Sequence, residues 1–541
     1  MSSIVFDDQM PVSQIDPGRA DVACFVGLAR LAGGVAPAAL PDAVAAWFAQ
    51  QGWSQGPFQR PISDQLSVLD LPVPVESFAG FTSLFDPGDS ELSYGTDYLA
   101  AAVRSFFAQG GNRCYVVRMG DPIAPGGSTS ALLALLLPAL LFAADDPRGW
   151  HSYGHLAGLP DVSFLSMPDL PVLSASAPPA ISYQPAAPPS GPEQFVECSV
   201  ADLTPAELRT YDAPAPRLTL DDYARWAAGL RSVLSYLATN AREVQMVAAM
   251  PLPQVYDVAT AAAVASGTSA ATLASDIHQV IDAQMSELLP DDPAGALAMN
   301  SLSTAFLQLG YPWLKTTGSY TLLESLEPAD GVLVGILARN ALSRGTFASA
   351  TKTHPSEVYD VFPPLPTQDV RVSTAPLIWR NNLAESPVPD KPLIERLSLF
   401  GFTPAGLRLL SDVTAYPGET YRSGSVNRLV SVISRAARRL GEAVVFANNG
   451  PNLWARVENF LSQLLTALWR LNALDGETAG DAFSVNCDSS TMTQNDIDNG
   501  RVIAVVTFTA ASTIELIRVT LALEPSGTAG QSASLVLAEV A

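Results

Sequence analysis

The sequence predicts an α/β domain followed by an α+β C-terminal domain, with β-prone arms at both ends, and three patterns carry that prediction. Two apolar runs, Asp161 to Leu165 before Met167-Pro168 and Glu243 to Val247 before Met250-Pro251, flank a helical pattern from Leu220 to Ala241. Strand, helix and strand in that order imply a right-handed parallel crossover. From Leu453 to Leu471 apolar residues recur every three or four positions, and strand-like runs come after them. Past Leu523 the chain turns polar and then ends in an apolar strand, Ser534 to Val540.

Taken in order, residues 1–22 read as an N-terminal arm, with Ile4, Val5 and Phe6 as its β-prone start. Residues 23–122 form an N-terminal α/β segment. It holds a core strand (Ala23 to Gly27), a strand–helix unit (Pro74 to Phe85) and a helix–strand unit (Tyr98 to Arg118) whose helix ends at Gly110-Gly111. Residues 123–369 form a middle α/β domain. Ala131 to Ala144 is its longest apolar run; it is too short to span a bilayer and contains Pro138, so a buried helix is expected. Pro185 to Pro192 reads as a linker. In the helix from Leu220, Tyr223, Trp226, Leu230, Leu234 and Leu237 share a face. The runs at 161 and 243 look alike, and two parallel strands of one sheet account for this as well as an internal repeat does.

Residues 370–523 form the C-terminal domain and 524–541 its arm. Asn452 is the expected N-cap of the long helix. Leu453, Val457, Phe460, Leu461, Leu464, Leu465 and Leu468 line its apolar face, which Trp454 and Trp469 widen. Arg456, Asn459, Gln463 and Arg470 fall on or near the other face. Ala482 to Cys487 reads as a strand, Asp496 to Gly500 as a turn, and Arg501 to Ala510 and Ile514 to Leu523 as strands. A calcium loop at Asn495 to Gly500 is excluded, because Ile497 would stand at a ligand position.

Composition narrows the classes. The chain has 541 residues, 48% of them hydrophobic and 15% charged, which suits two to four packed domains. A net charge of −23 disfavours nucleic acid and anionic membrane as partners. The opening MSSIVFDDQM has no basic residue ahead of an apolar run, so no secretory signal is expected. Cys24, Cys114, Cys198 and Cys487 show no metal or redox spacing and read as reduced core thiols.

One string of residues is more specific. Phe446, Asn449, Leu453-Trp454, Arg456, Phe460-Leu461, Leu468-Trp469, Gly476, Phe483, Cys487-Asp488, Thr491, Thr493, Asp496-Ile497 and Gly500 come after a helix, Tyr421 to Leu440, that bears Arg428, Arg435, Arg438 and Arg439. Together they resemble the C-terminal domain of contractile tail sheath proteins, the polymerising subunits around the tube of phage tails, pyocins and related injection systems. The strand–helix blocks near residues 23, 74 and 98, and Tyr311 to Leu314 with Gly335 to Gly345, resemble the same family. The chain departs from it in lacking a proline-glycine-valine-tyrosine opening and a tryptophan-glycine-alanine-arginine block near 395–415. Residues 123–300 match loosely.

The resemblance implies a subtilisin-like middle sheet and a structural subunit without enzymatic activity or cofactor. It implies a helical homopolymer around an inner tube protein, with baseplate and terminator or cap proteins as further partners, assembled in the bacterial cytoplasm. The arms would add strands to a neighbour's sheet: Ile4, Val5 and Phe6, and Leu535, Val536, Leu537 and Val540, onto a sheet bearing Val502, Val505, Phe508, Ile517 and Val519. Arg456, Glu458 and Arg470 are the candidate tube contacts, with Arg435, Arg438 and Arg439 as alternatives. A non-contracting baseplate component is the second reading.

An enzyme is the third. Gly267-Thr268-Ser269-Ala270-Ala271 looks like a subtilisin-type nucleophile motif, but none of the four histidines stands in a matching setting. His151 and His155 have the spacing of a paired metal site, yet no third ligand group accompanies them. No phosphate-loop motif occurs, so contraction would draw on energy stored in the lattice.

Overall fold

A computed structural model describes residues 19–51, 66–90, 93–124, 127–138, 149–176, 214–254, 281, 284, 288–289, 301–365, 393–444, 448–511, 516–523 and 535–536. Eight strands build one sheet: β1 (Val22–Leu28), β2 (Pro72–Val75), β3 (Cys114–Gly120), β4 (Val162–Ser166), β5 (Gln245–Ala249), β6 (Leu307–Tyr311), β7 (Ser398–Thr403) and β8 (Gly406–Leu409). Their order is β8-β7-β6-β5-β4-β1-β3-β2. The strands from β7 to β3 run parallel, and β8 and β2 are antiparallel edges. β1, β4, β5 and β6 are buried along their whole length, which is why their sequences are mainly apolar, with Gln245 in β5 and Gln308 in β6 as the polar exceptions of most consequence. The two runs that look alike are β4 and β5, adjacent and parallel with Phe164 opposite Gln245. Their likeness is that of two strands of one sheet.

Helices cover both faces. They are α1 (Asp42–Gln50), α2 (Phe78–Thr82), α3 (Tyr98–Ala108), α4 (Ser130–Leu136), α5 (Leu170–Ser174), α6 (Leu220–Asn240) and α7 (Asp330–Ser343). α6 starts at a capping box, Thr219 with Asp222, and buries Tyr223, Trp226, Leu230, Leu234 and Leu237 on the side of Cys24 and Val26. α3 and α7 pack Val103, Phe106, Leu333 and Leu337 on the opposite side, with Phe25. Gly110 ends α3 in a left-handed turn (φ +97°), and the Gly111 N–H donates to the Phe106 carbonyl at 3.0 Å. The run expected as a buried helix at 131–144 behaves differently. Within its described part only α4 is helical, Leu136 alone in it is fully buried, and Leu135 is 52% exposed. Pro138 lies just beyond and opposes continuation of the helix.

Neither end of this sheet offers a bare edge among the described residues. On β2 the Pro72 carbonyl accepts from Trp47 Nε1 at 3.1 Å, so positions 72 and 74 face away from β3, and both are prolines without an N–H. β8 is covered by residues 352–353: Leu409 N–H donates to the Thr353 carbonyl at 2.9 Å and Lys352 N–H to the Leu409 carbonyl at 2.7 Å.

The sheet draws on three of the segments expected from sequence, reaching Leu409 before the chain leaves it. Beyond Leu409 the chain builds a smaller body: α8 (Gly424–Val444), α9 (Pro451–Arg470), β9 (Phe483–Asn486), α10 (Gln494–Asp498), β10 (Val502–Thr509), β11 (Leu516–Leu523) and β12 (Leu535–Val536). Its strands form an antiparallel sheet, β9-β10-β11-β12. Buried Val502, Ala504, Val506 and Phe508 alternate with half-buried Ile503, Val505 and Thr507, so one face of the sheet packs on α8 and α9. The region is α+β, as the sequence predicts.

Candidate assembly interface

The helix α9 buries Leu453, Val457, Leu461, Leu464, Leu465 and Leu468, in agreement with its sequence period. Its start differs from expectation. Pro451 is the first helical residue and Gly450 the cap, so Asn452 lies inside the helix, because proline's fixed φ suits a first turn whose N–H groups lack partners. The segment expected as a turn at 496–500 contains the short helix α10. Thr493 and Asp496 cap it reciprocally, and Gly500 closes it with φ +73°.

These contacts explain most of the motif string by architecture. Trp454 Nε1 donates to Asn449 Oδ1 at 2.7 Å, and Asn449 Nδ2 donates to the carbonyls of Arg501 at 3.2 Å and Ile497 at 3.3 Å. Trp469 Nε1 reaches the Gly476 carbonyl at 3.0 Å. A Cβ on Gly476 would lie 2.6 Å from the Ala482 nitrogen, so only glycine fits. Thr491 Oγ1 donates to the Ile503 carbonyl at 2.7 Å. Burial, then the neighbouring Glu458 and Asp488 carboxylates, push the Cys487 thiol up to about 12, which makes it an unreactive core thiol.

Of the candidate tube contacts, Arg456 and Arg470 are exposed on α9. Fourteen residues apart, they share a flank of the helix roughly 21 Å long. Glu458 is half-buried beside Cys487 and falls on a different flank. The alternatives separate further. Arg435 is 2% exposed and donates to the carbonyls of Arg19 at 2.7 Å and Val162 at 2.9 Å. Burial lowers its pKa to about 10. Arg438 pairs with Glu243 and donates to the Asn240 carbonyl at 3.2 Å. Both therefore clamp α8 to the large sheet, Arg435 buried and Arg438 half-buried, whereas Arg439 is exposed.

A polar chain reinforces that clamp. Gln245 Nε2 donates to Gln308 Oε1 at 3.1 Å, and Gln308 Nε2 donates to Ser398 Oγ at 2.8 Å and Asp412 Oδ1 at 3.0 Å. Asp412 is gripped in turn by Arg428 of α8. Sequence reasoning singled out the arginines and missed Asp412, Glu243 and Gln308. Glutamines inside otherwise apolar strands were the available signal.

The arm residues divide. Ile4, Val5, Phe6, Leu537 and Val540 lie outside the described residues. Leu535 and Val536 form β12, which pairs antiparallel with β11 of its own chain, Leu535 opposite Leu521 and Val536 opposite Thr520. What receives it is the backbone edge of β11. Of the side chains named for the acceptor sheet, Val502, Phe508, Ile517 and Val519 point inward, and Val505 lies half-buried on the other face.

Elsewhere, Ser269 lies outside the described residues. His151 and His155 do converge, but on Asp70: His151 Nδ1 meets its Oδ2, and His155 Nε2 lies 2.9 Å from its carbonyl. Burial raises the Asp70 pKa, yet the two histidines and the Ser152 N–H outweigh it and hold the carboxyl well below the usual range. Among the described residues no group of three or more His, Cys, Asp or Glu is arranged to hold a metal ion, and no helix is long and apolar enough to cross a membrane.

No family model and no curated protein matches the chain. Solved structures do. A chain of the anti-feeding prophage helical sheath in its contracted state matches with a TM-score of 0.51 at 15% identity, over 95% of this chain and 96% of that one. A chain of the same particle's six-fold symmetrised baseplate matches with 0.51 at 16%, over 95% and 96%. One from its contracted baseplate matches with 0.51 at 18%, over 95% of each. What is shared at these identities is the fold, and it is shared along nearly the whole length. This chain has the contractile tail sheath fold.

Proposed function

We propose that this chain is the structural subunit of a contractile sheath, polymerising helically around an inner tube and contracting to drive that tube through a target envelope. The observation that carries the reading is the likeness over 95% of this chain and 96% of the other to the contracted helical sheath of the anti-feeding prophage. The subtilisin-like description of the middle sheet, the division into arms and domains, and assembly in the bacterial cytoplasm belong to this proposal. So do the partners: further copies of the chain, the tube protein, and baseplate and terminator proteins.

The terminal strand supports a mechanism. β12 has two paired residues, sits on an antiparallel edge and comes after residues 524–534, which are rich in glycine, serine and alanine. Release from its own β11 and transfer to that of a neighbour exchanges like hydrogen bonds for like, so subunits can be linked without a net loss of pairing. The linker at 524–534 lets the lattice change diameter while the strands stay paired. The exposed flank of α9 with Arg456 and Arg470 is the face assigned to the tube.

Electron microscopy of the chain co-expressed with its tube protein tests this. Hollow striated cylinders, lost on deletion of residues 524–541, are the expected outcome; cylinders from the truncated chain would falsify the exchange. Two of the matches reported above come from baseplate structures, which favours a second reading as a baseplate component. Closed rings that never elongate would select it.

A further inference from the structure

In open α/β sheets, ligands bind beyond the carboxyl ends of the strands, where neighbouring strands send their connections in opposite directions. Here that point lies between β1 and β4. After β1 the chain builds β2 and β3 on one side, and after β4 it builds β5 and β6 on the other. Two helices begin at the same place. α3 offers the Leu99 N–H, and α7 begins at Asp330, whose Oδ2 accepts from Ser166 Oγ at the end of β4 at 2.8 Å. Helix starts beside strand ends make a natural seat for an acceptor group or anion.

The seat is filled. Asp169 precedes α5 without capping it and instead reaches across the crevice, where its Oδ2 accepts from the Leu28 N–H at 2.7 Å and the Leu99 N–H at the start of α3 lies near enough to pull on the carboxyl. The side chain is wholly buried, and its Oδ1 has no hydrogen-bond partner. Room for it comes from Gly27, where a Cβ would lie 2.2 Å from Asp169 Oδ2. A glycine at the end of β1 is thus matched to a carboxyl delivered from β4.

We propose that Asp169 is a built-in ligand: its carboxyl occupies the switch-point seat that such sheets offer to an acceptor group, and the domain is complete without a small molecule. This seat lies wholly within the large sheet and does not depend on assembly. Removing the carboxyl leaves a vacancy of its own size between the Leu28 and Leu99 N–H groups, and formate has that size and chemistry. Burial above all, and the Asp97 and Asp330 carboxyls, push the Asp169 group well above the usual range against the pull of the two N–H groups; Tyr98 faces it as well. The seat therefore favours the protonated acid, and formate should act more strongly at pH 5 than at pH 7.

Thermal unfolding of the full chain carrying Asp169→Ala tests this, with sodium formate titrated against sodium chloride at equal ionic strength. The expected result is a melting temperature several degrees below wild type that formate, and not chloride, raises saturably, with no response in wild type. Wild-type melting of D169A, or indifference to formate, overturns the proposal. Should D169A fail to fold, Asp169→Asn and Asp169→Leu decide. Asparagine keeps a carbonyl oxygen for Leu28 and should fold, while leucine fills the space but accepts nothing and should melt lower. Equal melting of the two, or a D169N that does not fold, overturns it equally.

Discussion

Arg428 and Asp412 form a two-pronged ion pair in the interior, with Nη2 2.6 Å from Oδ2 and Nη1 3.0 Å from Oδ1. Arg428 is 4% exposed and Asp412 3%. Burial raises the Asp412 pKa, but the guanidinium, the Ala350 N–H and Gln308 outweigh it and hold the carboxyl low. The pair joins α8 to the large sheet through the glutamine chain. Its geometry satisfies both charges, so removing one partner strands the other in a dry setting.

Arg428→Met should therefore destabilise the chain by about 3–5 kcal/mol, and Asp412→Ala by a similar amount. Chemical denaturation measures this. The double variant R428M/D412L should recover much of the loss, since no charge is left unpaired. A double variant as weak as the sum of the two singles would refute a coupled pair.

Glu327 and Asp330 set an alkaline limit. Burial first, opposed by the Ser105 and Thr316 hydroxyls, pushes the Glu327 carboxyl up to about 8, and burial raises Asp330 to about 6. Both groups hold protons more tightly folded than unfolded. Their contribution is full below the ordinary carboxylate range and is lost as pH rises through about 6 and then about 8. Glu327→Gln should leave melting near pH 5 unchanged and raise it relative to wild type at pH 9. A parallel fall of both proteins with pH would speak against this.

Asn449 ties the start of α9 to α10 and β10 through three hydrogen bonds, one from Trp454 and two to backbone carbonyls. Asn449→Ala should cost about 1 kcal/mol, because it breaks hydrogen bonds among half-buried groups. Asn449→Asp should also weaken the site, since a carboxylate cannot donate to the Ile497 and Arg501 carbonyls. Denaturation curves of the three proteins give the answer, and wild-type stability of either variant contradicts it.

Arg456 and Arg470 stand exposed on α9. Their joint replacement by glutamate should change stability by less than about 0.5 kcal/mol, as is usual for surface substitutions. Under the proposed function it should nevertheless reduce co-sedimentation of tube with sheath. Undiminished co-sedimentation removes these residues from the contact.

Much of this architecture is legible in the residues themselves. The period of α6 and α9, the Gly110 cap and the parallel pair β4 and β5 arise from local patterns that depend on near neighbours only. What stayed hidden depends on residues far apart in sequence. Arg435 looked like a surface charge on an amphipathic helix, and its acceptors at Arg19 and Val162 lie more than 250 positions away. Asp169 and Gly27 gave no sign of meeting. Likewise, the string from Asn449 to Gly500 pointed to a family, whereas its chemical meaning needed the hydrogen bonds that link helix, loop and strand.

The prolines of β2 and the strap over β8 have an effect beyond the subunit's own stability. A protein made in many copies, each carrying a broad sheet, risks fusing side by side into tangled aggregates wherever a strand lies bare. Among the described residues, closing both flanks of the large sheet leaves crowded, newly made chains no foothold there and leaves strand trading to the small C-terminal sheet. Under the proposed function, order in the assembled sheath would then owe as much to where these chains refuse to stick as to where they join.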